Sequence, residues 1–193
     1  YVIDSNTNAR IYSYSIAPTT GILSALGSIA IPGKFSYRLV AESSGKFLFS
    51  SNVDSQNVTS YRVDRATGLL TLINTIALSV SGATFTDIGV HPSSKYFYVA
   101  GSNVLSIVNV AADGTLSAGP TTAISGSQLA FINTGTALFL YAGGNVYTAN
   151  ATTGALTLST ATTGLGLVAY GNGYVYTAGA AQVTGYSVAA TGA

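Results

Sequence analysis

The side chains that could do chemistry in this 193-residue chain are few: seven Lys or Arg, six Asp or Glu, and one histidine, His91. Cysteine is absent, which excludes thiolate nucleophiles, thiolate metal ligands and disulfides. Every charged residue lies at or before Asp113, and the 80 residues after it hold neither charge nor histidine. General acid–base work, metal binding and phosphate recognition all depend on such groups. A site built by this chain therefore draws on its first half, or on chain beyond it.

Two of these residues and one glutamine share one position when the internal repeats described below are aligned: Arg38, Asp87 and Gln128. The fourth repeat offers only Gly164 or Leu165 there. A guanidinium at that position can hold an anionic substrate or a developing oxyanion, with Lys34 close in sequence. The same residues can also form an ion pair or a hydrated polar ring that fills the channel and binds nothing, and both readings stand. His91 sits in a His-Pro-Ser-Ser turn with no carboxylate placed to orient it, and is read as a turn former.

The loops Asp4-Ser5-Asn6-Thr7-Asn8 and Asp54-Ser55-Gln56-Asn57 lack the clustered carboxylates that a hard cation prefers. They read as Asx-type turns. No metal and no cofactor is expected. Asn57-Val58-Thr59 and Asn150-Ala151-Thr152 are glycosylation sequons, which matter only in a glycosylating source.

The elements that position these groups come from a repeat. Gly21-Ile22-Leu23-Ser24, Gly68-Leu69-Leu70-Thr71, Gly114-Thr115-Leu116-Ser117 and Gly154-Ala155-Leu156-Thr157 share one pattern, with a fifth copy cut off at Gly192-Ala193. The glycines are 47, 46, 40 and 38 residues apart. A short alternating strand precedes each, as in Tyr12-Ser13-Tyr14-Ser15-Ile16 and Thr59-Ser60-Tyr61-Arg62-Val63. Midway between glycines, polar turns lead into aromatic strands, as in Ser43-Ser44-Gly45-Lys46-Phe47-Leu48-Phe49 and Pro92-Ser93-Ser94-Lys95-Tyr96-Phe97-Tyr98.

Each period thus holds about four short strands, the pattern of a β-propeller blade. The reading is all-β: a single domain over residues 1–193, a β-propeller of four-stranded antiparallel blades, about four and a half of them present. Approximate repeats run 1–47, 48–96, 97–138, 139–173 and an incomplete 174–193. Leu39-Val40-Ala41, Ile88-Gly89-Val90 and Leu129-Ala130-Phe131 are read as innermost strands. Arg38 and Asp87 then sit on neighbouring blades at the mouth of the central channel.

Tyr98-Val99-Ala100-Gly101 after Val90-His91-Pro92-Ser93-Ser94-Lys95, and Ser60-Tyr61-Arg62-Val63-Asp64-Arg65-Ala66-Thr67-Gly68-Leu69-Leu70-Thr71, resemble the repeat of the YVTN and lactonase-like seven-bladed β-propellers. The resemblance covers nearly the whole chain. It implies seven blades and a chain that is partial. It also admits a lactonase-like hydrolase of sugar-acid lactones, because the group includes propeller-type 6-phosphogluconolactonases.

Composition points the other way. Charged residues make up 7% of the chain, against roughly 25% in ordinary domains. Net charge is +1, so no basic face exists for nucleic acid. Hydrophobic residues reach 48%, which excludes disorder, and no apolar run is long enough for a transmembrane helix. A weakly charged, cysteine-free, hydroxyl-rich chain suits an extracellular or cell-surface location. The first expectation is therefore an exported, non-catalytic structural or binding module, with the lactonase as its alternative. Its open β edges would pair with a protein partner, with its own further blades, or with copies of itself.

Overall fold

The computed structural model describes residues 1–4, 8–78, 84–124, 128–133, 137–142, 145–161, 167–171, 174–178 and 182–187. Among them every regular element is a strand. The first sheet holds β1 (Val2–Asp4), β2 (Arg10–Ile16) and β3 (Leu23–Ala30). The second holds β4 (Ser36–Ala41), β5 (Phe47–Asn52), β6 (Asn57–Val63) and β7 (Leu70–Ala77). Next come β8 (Phe85–Val90), β9 (Tyr96–Gly101), β10 (Val104–Val110) and β11 (Leu116–Ala123). The fourth sheet is β12 (Leu129–Asn133), β13 (Leu138–Ala142), β14 (Asn145–Ala149) and β15 (Leu156–Ala161). The last is β16 (Leu167–Gly171), β17 (Tyr174–Ala178) and β18 (Val183–Ser187).

All pairings are antiparallel between chain neighbours, so each sheet is a meander. β4, β8, β12 and β16 pack against one another in that order, which makes them the inner strands of a radial array. The expected propeller is what the chain forms.

Local chemistry explains the hairpins. Asp64 Oδ1 accepts the Ala66 and Thr67 N–H groups, and Asn150 Oδ1 does the same for Thr152 and Thr153. The repeat glycine closes each of these turns at a φ of 68–90°, a region that penalises a Cβ. One register shift recurs in each pairing of third and fourth strands, at Ser13/Tyr14, Ser60/Tyr61, Ser106/Val108 and Val146/Tyr147. A bulge there adds twist to the outer strand.

The apolar cores lie between sheets rather than within a single layer. Ile11 meets Leu48 and Tyr61 between the first two sheets. Phe49 stacks on Phe97 at 4.8 Å between the second and third. Tyr98, Leu140 and Tyr147 fill the next gap, and Phe139, Val146 and Val175 the last described one.

Each gap is also latched at its outer turn. A residue at or just before the start of a strand lies on the repeat glycine of the following sheet: Tyr1, before β1, donates to the Gly68 carbonyl, Phe47 of β5 abuts Gly114, and Tyr96 of β9 abuts Gly154. Tyr96 donates to the Thr152 carbonyl, and Tyr98 to that of Gly154 at 2.8 Å. The fifth repeat glycine, Gly192, lies outside the described residues, as do Gly164 and Leu165 and the Ser5–Thr7 part of the first loop.

Candidate functional site at the channel mouth

Arg38 and Asp87 are brought together. Both follow a bulge at the start of an inner strand: Tyr37 is the extra residue in β4, and Thr86 in β8. Arg38 Nε lies 3.4 Å from Asp87 Oδ1, with side-chain exposures of 48% and 17%. The guanidinium therefore reaches solvent while its partner is largely enclosed.

Asp87 is held tightly. Its Oδ1 accepts the Ile88 N–H at 2.9 Å, and its Oδ2 accepts the Leu129 N–H at 3.0 Å. The second of these bonds ties the third sheet to the fourth. A carboxylate with both oxygens engaged is a fixed anchor for a cation, and a poor general base.

Gln128 is half-buried directly before β12, adjacent to the Leu129 amide that Asp87 holds. It does not share the rung of the other two. Arg38 pairs with Ser51, Asp87 with Ala100, and Leu129 with Ala142. Ala142 stands in β13 where Ala100 stands in β9, so the equivalent rung falls on Leu129, and Gln128 precedes it by one residue at the place of Tyr37 and Thr86. Lys34 is exposed on the same approach, its N–H donating to Ser55 Oγ.

The other titratable candidates lie at the opposite ends of the inner strands. His91 is 2% exposed, and its Nδ1 accepts the Ser93 N–H at 3.0 Å. Its Nε2 has no partner among the described residues and sits among the rings of Tyr96, Tyr98 and Phe131. Burial lowers its pKa, so it is neutral at pH 7 and caps a turn. Because the folded pKa lies below the unfolded 6.5, its contribution to stability is present above pH 6.5 and is lost as pH falls below it. His91→Gln should flatten the fall in melting temperature between pH 7 and 5.5; an unchanged fall would show that His91 does not titrate on unfolding.

Glu42 occupies the matching position in the second sheet, and residue-by-residue reading of the sequence passed over it. Its Oε1 accepts the Ser44 hydroxyl and the Lys46 N–H, each at 2.6 Å, and the Phe47 N–H at 3.2 Å. Its Oε2 accepts the Ser44 N–H at 2.7 Å. Burial alone would raise its pKa, but bonds from Ser44, Lys46 and Ser94 outweigh burial and hold it at about 2. The detectable signal was the parallel between Glu42-Ser43-Ser44-Gly45-Lys46 and His91-Pro92-Ser93-Ser94-Lys95.

Residues 1–85 match the family described as lactonase, seven-bladed β-propeller. Over that stretch the chain resembles lactonase-type β-propellers. Among solved structures, this propeller resembles a protein from Lactobacillus plantarum with a TM-score of 0.68 and 19% identity, covering 82% of this chain and 53% of that one. A protein from Bacteroides fragilis, provisionally assigned as a 6-phosphogluconolactonase, gives 0.64 and 22%, covering 82% and 52%. A periplasmic gluconolactonase of Pseudomonas aeruginosa gives 0.66 and 16%, covering 83% and 53%. The chain thus spans about half the length of these structures. No curated protein sequence matches it.

These likenesses overturn the expectation of a non-catalytic structural or binding module and favour its lactonase alternative. The error lay in averaging charge over the whole chain. Ten of its thirteen charged residues, Arg38 among them, lie within the matched 1–85 stretch. A site needs a few placed groups, and a sparsely charged scaffold says little about it.

Proposed function

We propose that this protein is a lactonase-like hydrolase of sugar-acid lactones whose site lies at the channel mouth. The observation that carries the reading is Arg38: a solvent-reaching guanidinium at the start of an inner strand, oriented by an anchored Asp87, within the stretch that matches the lactonase family.

Hydrolysis adds water to the lactone carbonyl, builds negative charge on that oxygen, and breaks the ring C–O bond to leave a hydroxyl and a carboxylate. Arg38 serves where the charge develops, and its fork also suits the carboxylate of the product. Asp87 is a positioning residue that holds the guanidinium. The Gln128 amide, beside the pinned Leu129, supplies a neutral donor and acceptor for substrate hydroxyls. We also propose that the protein works outside the cytoplasm, on its low charge and its likeness to a periplasmic gluconolactonase; recovery from the cytosolic fraction of its source cells would overturn that part.

The test is steady-state hydrolysis of gluconolactone by the wild type, Arg38→Ala and Arg38→Lys. Arg38→Ala should lower kcat/KM by about a hundredfold or more. Arg38→Lys should recover part of this, since it keeps the charge without the fork. Wild-type turnover that survives Arg38→Ala unchanged would refute the assignment.

A further inference from the structure

A cavity opens on the opposite face from Arg38. It has a volume of about 630 Å³ and lies between the β4–β5 turn and the β8–β9 turn, closed by the end of β10 and the start of the β10–β11 turn. That volume suits a small molecule of metabolite size.

Its lining has a definite chemistry. Lys46 and Lys95 reach it from adjacent sheets, and both are exposed. Among the described residues neither ammonium group has an ion-pair or hydrogen-bond partner. Ser43 and Ser94 approach within 3.1 Å, hydroxyl to hydroxyl, and Ser93 and Asn109 add further polar groups. Phe47 and Tyr96 provide apolar and aromatic surface.

Room for this cavity arises at the β10–β11 turn. Ala111 stands where the turns of the flanking sheets place Asp64 and Asn150, whose side chains fold back onto their own turn amides. Glu42 is the acidic group facing the cavity. Its oxygens accept from Ser44, Lys46 and Phe47 of its own turn, and Ser94 adds a further bond, so both are engaged at the rim. Two lysines against one internally bonded carboxylate leave the cavity positive.

We propose that this cavity is a binding site for a small polyol bearing one anionic group, carboxylate or phosphate. The lysines take the anion from two sides. The serine hydroxyls and Asn109 take the polyol hydroxyls, and Tyr96 offers the carbon skeleton an aromatic surface. The site is separate from the channel mouth and does not depend on hydrolysis there.

Calorimetric titration of the chain with sodium gluconate, glucose 6-phosphate and glucose tests this. At least one of the two anions should bind, with glucose at least tenfold weaker, and added salt should weaken the binding. In an Arg38→Ala background, which removes product binding at the channel mouth, the Lys46→Ala/Lys95→Ala changes, both on exposed side chains, should lower the affinity tenfold or more. Binding of gluconate alone would identify a carboxylate site, and of glucose 6-phosphate alone a phosphate site. Affinity unchanged by the two lysine changes, binding lost in Arg38→Ala alone, or no heat with any probe would overturn the proposal. A protein without turnover but with lysine-dependent binding would fail as a hydrolase and still support this site.

Discussion

Gly154→Ala should lower the melting temperature by roughly 6–12 °C, a loss of about 3 kcal/mol in a chain of this length. Two effects add. At a φ of 68° an alanine costs about 1 kcal/mol relative to glycine. The new Cβ would also lie 2.6 Å from Tyr96 Cγ. That atom is the root of a ring, so the ring must move as a whole, and overpacking of this kind costs about 1–3 kcal/mol. Moving it disturbs the Tyr96 bond to Thr152 and the Tyr98 bond to Gly154, which latch the third sheet to the fourth. Gly21→Ala is the matched control. Its φ is 70°, but a Cβ there meets nothing within 4 Å. It should lose only the backbone part, roughly 2–4 °C. Equal losses at the two sites would mean that the glycines serve their turns alone and do not seat the neighbouring sheet.

The second large effect is at Glu42. Its carboxyl has a folded pKa of about 2, against 4.5 for the free group. A difference of that size corresponds to about 3 kcal/mol of stability. The sign follows from the depressed folded value. The contribution is fully present above pH 4.5, declines as pH falls through that value, and is gone near pH 2. Glu42→Gln should therefore be destabilised at pH 7 by an amount of that order, since an amide brings N–H groups toward amides that already donate. Its stability should then fall much less than the wild type's between pH 4.5 and 2. Denaturant melts at pH 7, 4.5 and 2.5 would check both parts, and parallel curves for the two proteins would remove Glu42 from the account.

The propeller was legible because hairpins have strong local chemistry. Gly68, Gly114 and Gly154 mark turns by their conformation, and the alternation around Tyr61 marks one buried face. Their spacing needed no knowledge of tertiary contacts. What the glycines do between sheets was not legible, since the approach of Phe47 to Gly114 and Tyr96 to Gly154 exists only once sheets pack. Arg38 and Asp87 were legible as a pair because both follow a bulge at the same depth in an inner strand. Gln128 was aligned with them one residue out of register. Leu129 stands on the rung of Arg38 and Asp87, and Gln128 stands where Tyr37 and Thr86 do; nothing in Gln128-Leu129-Ala130 announces that offset. Function was misread for a different reason. A low average charge is a property of surface, whereas Arg38 beside Asp87 is a property of geometry.

The most direct measurement is the initial rate of gluconolactone ring opening in the presence of the purified chain, followed as proton release against the uncatalysed background. A rate that rises in proportion to protein concentration, and returns to background in Arg38→Ala, is the result expected. A wild-type rate indistinguishable from background, or one that Arg38→Ala leaves intact, would contradict the assignment of lactone hydrolysis to the channel mouth.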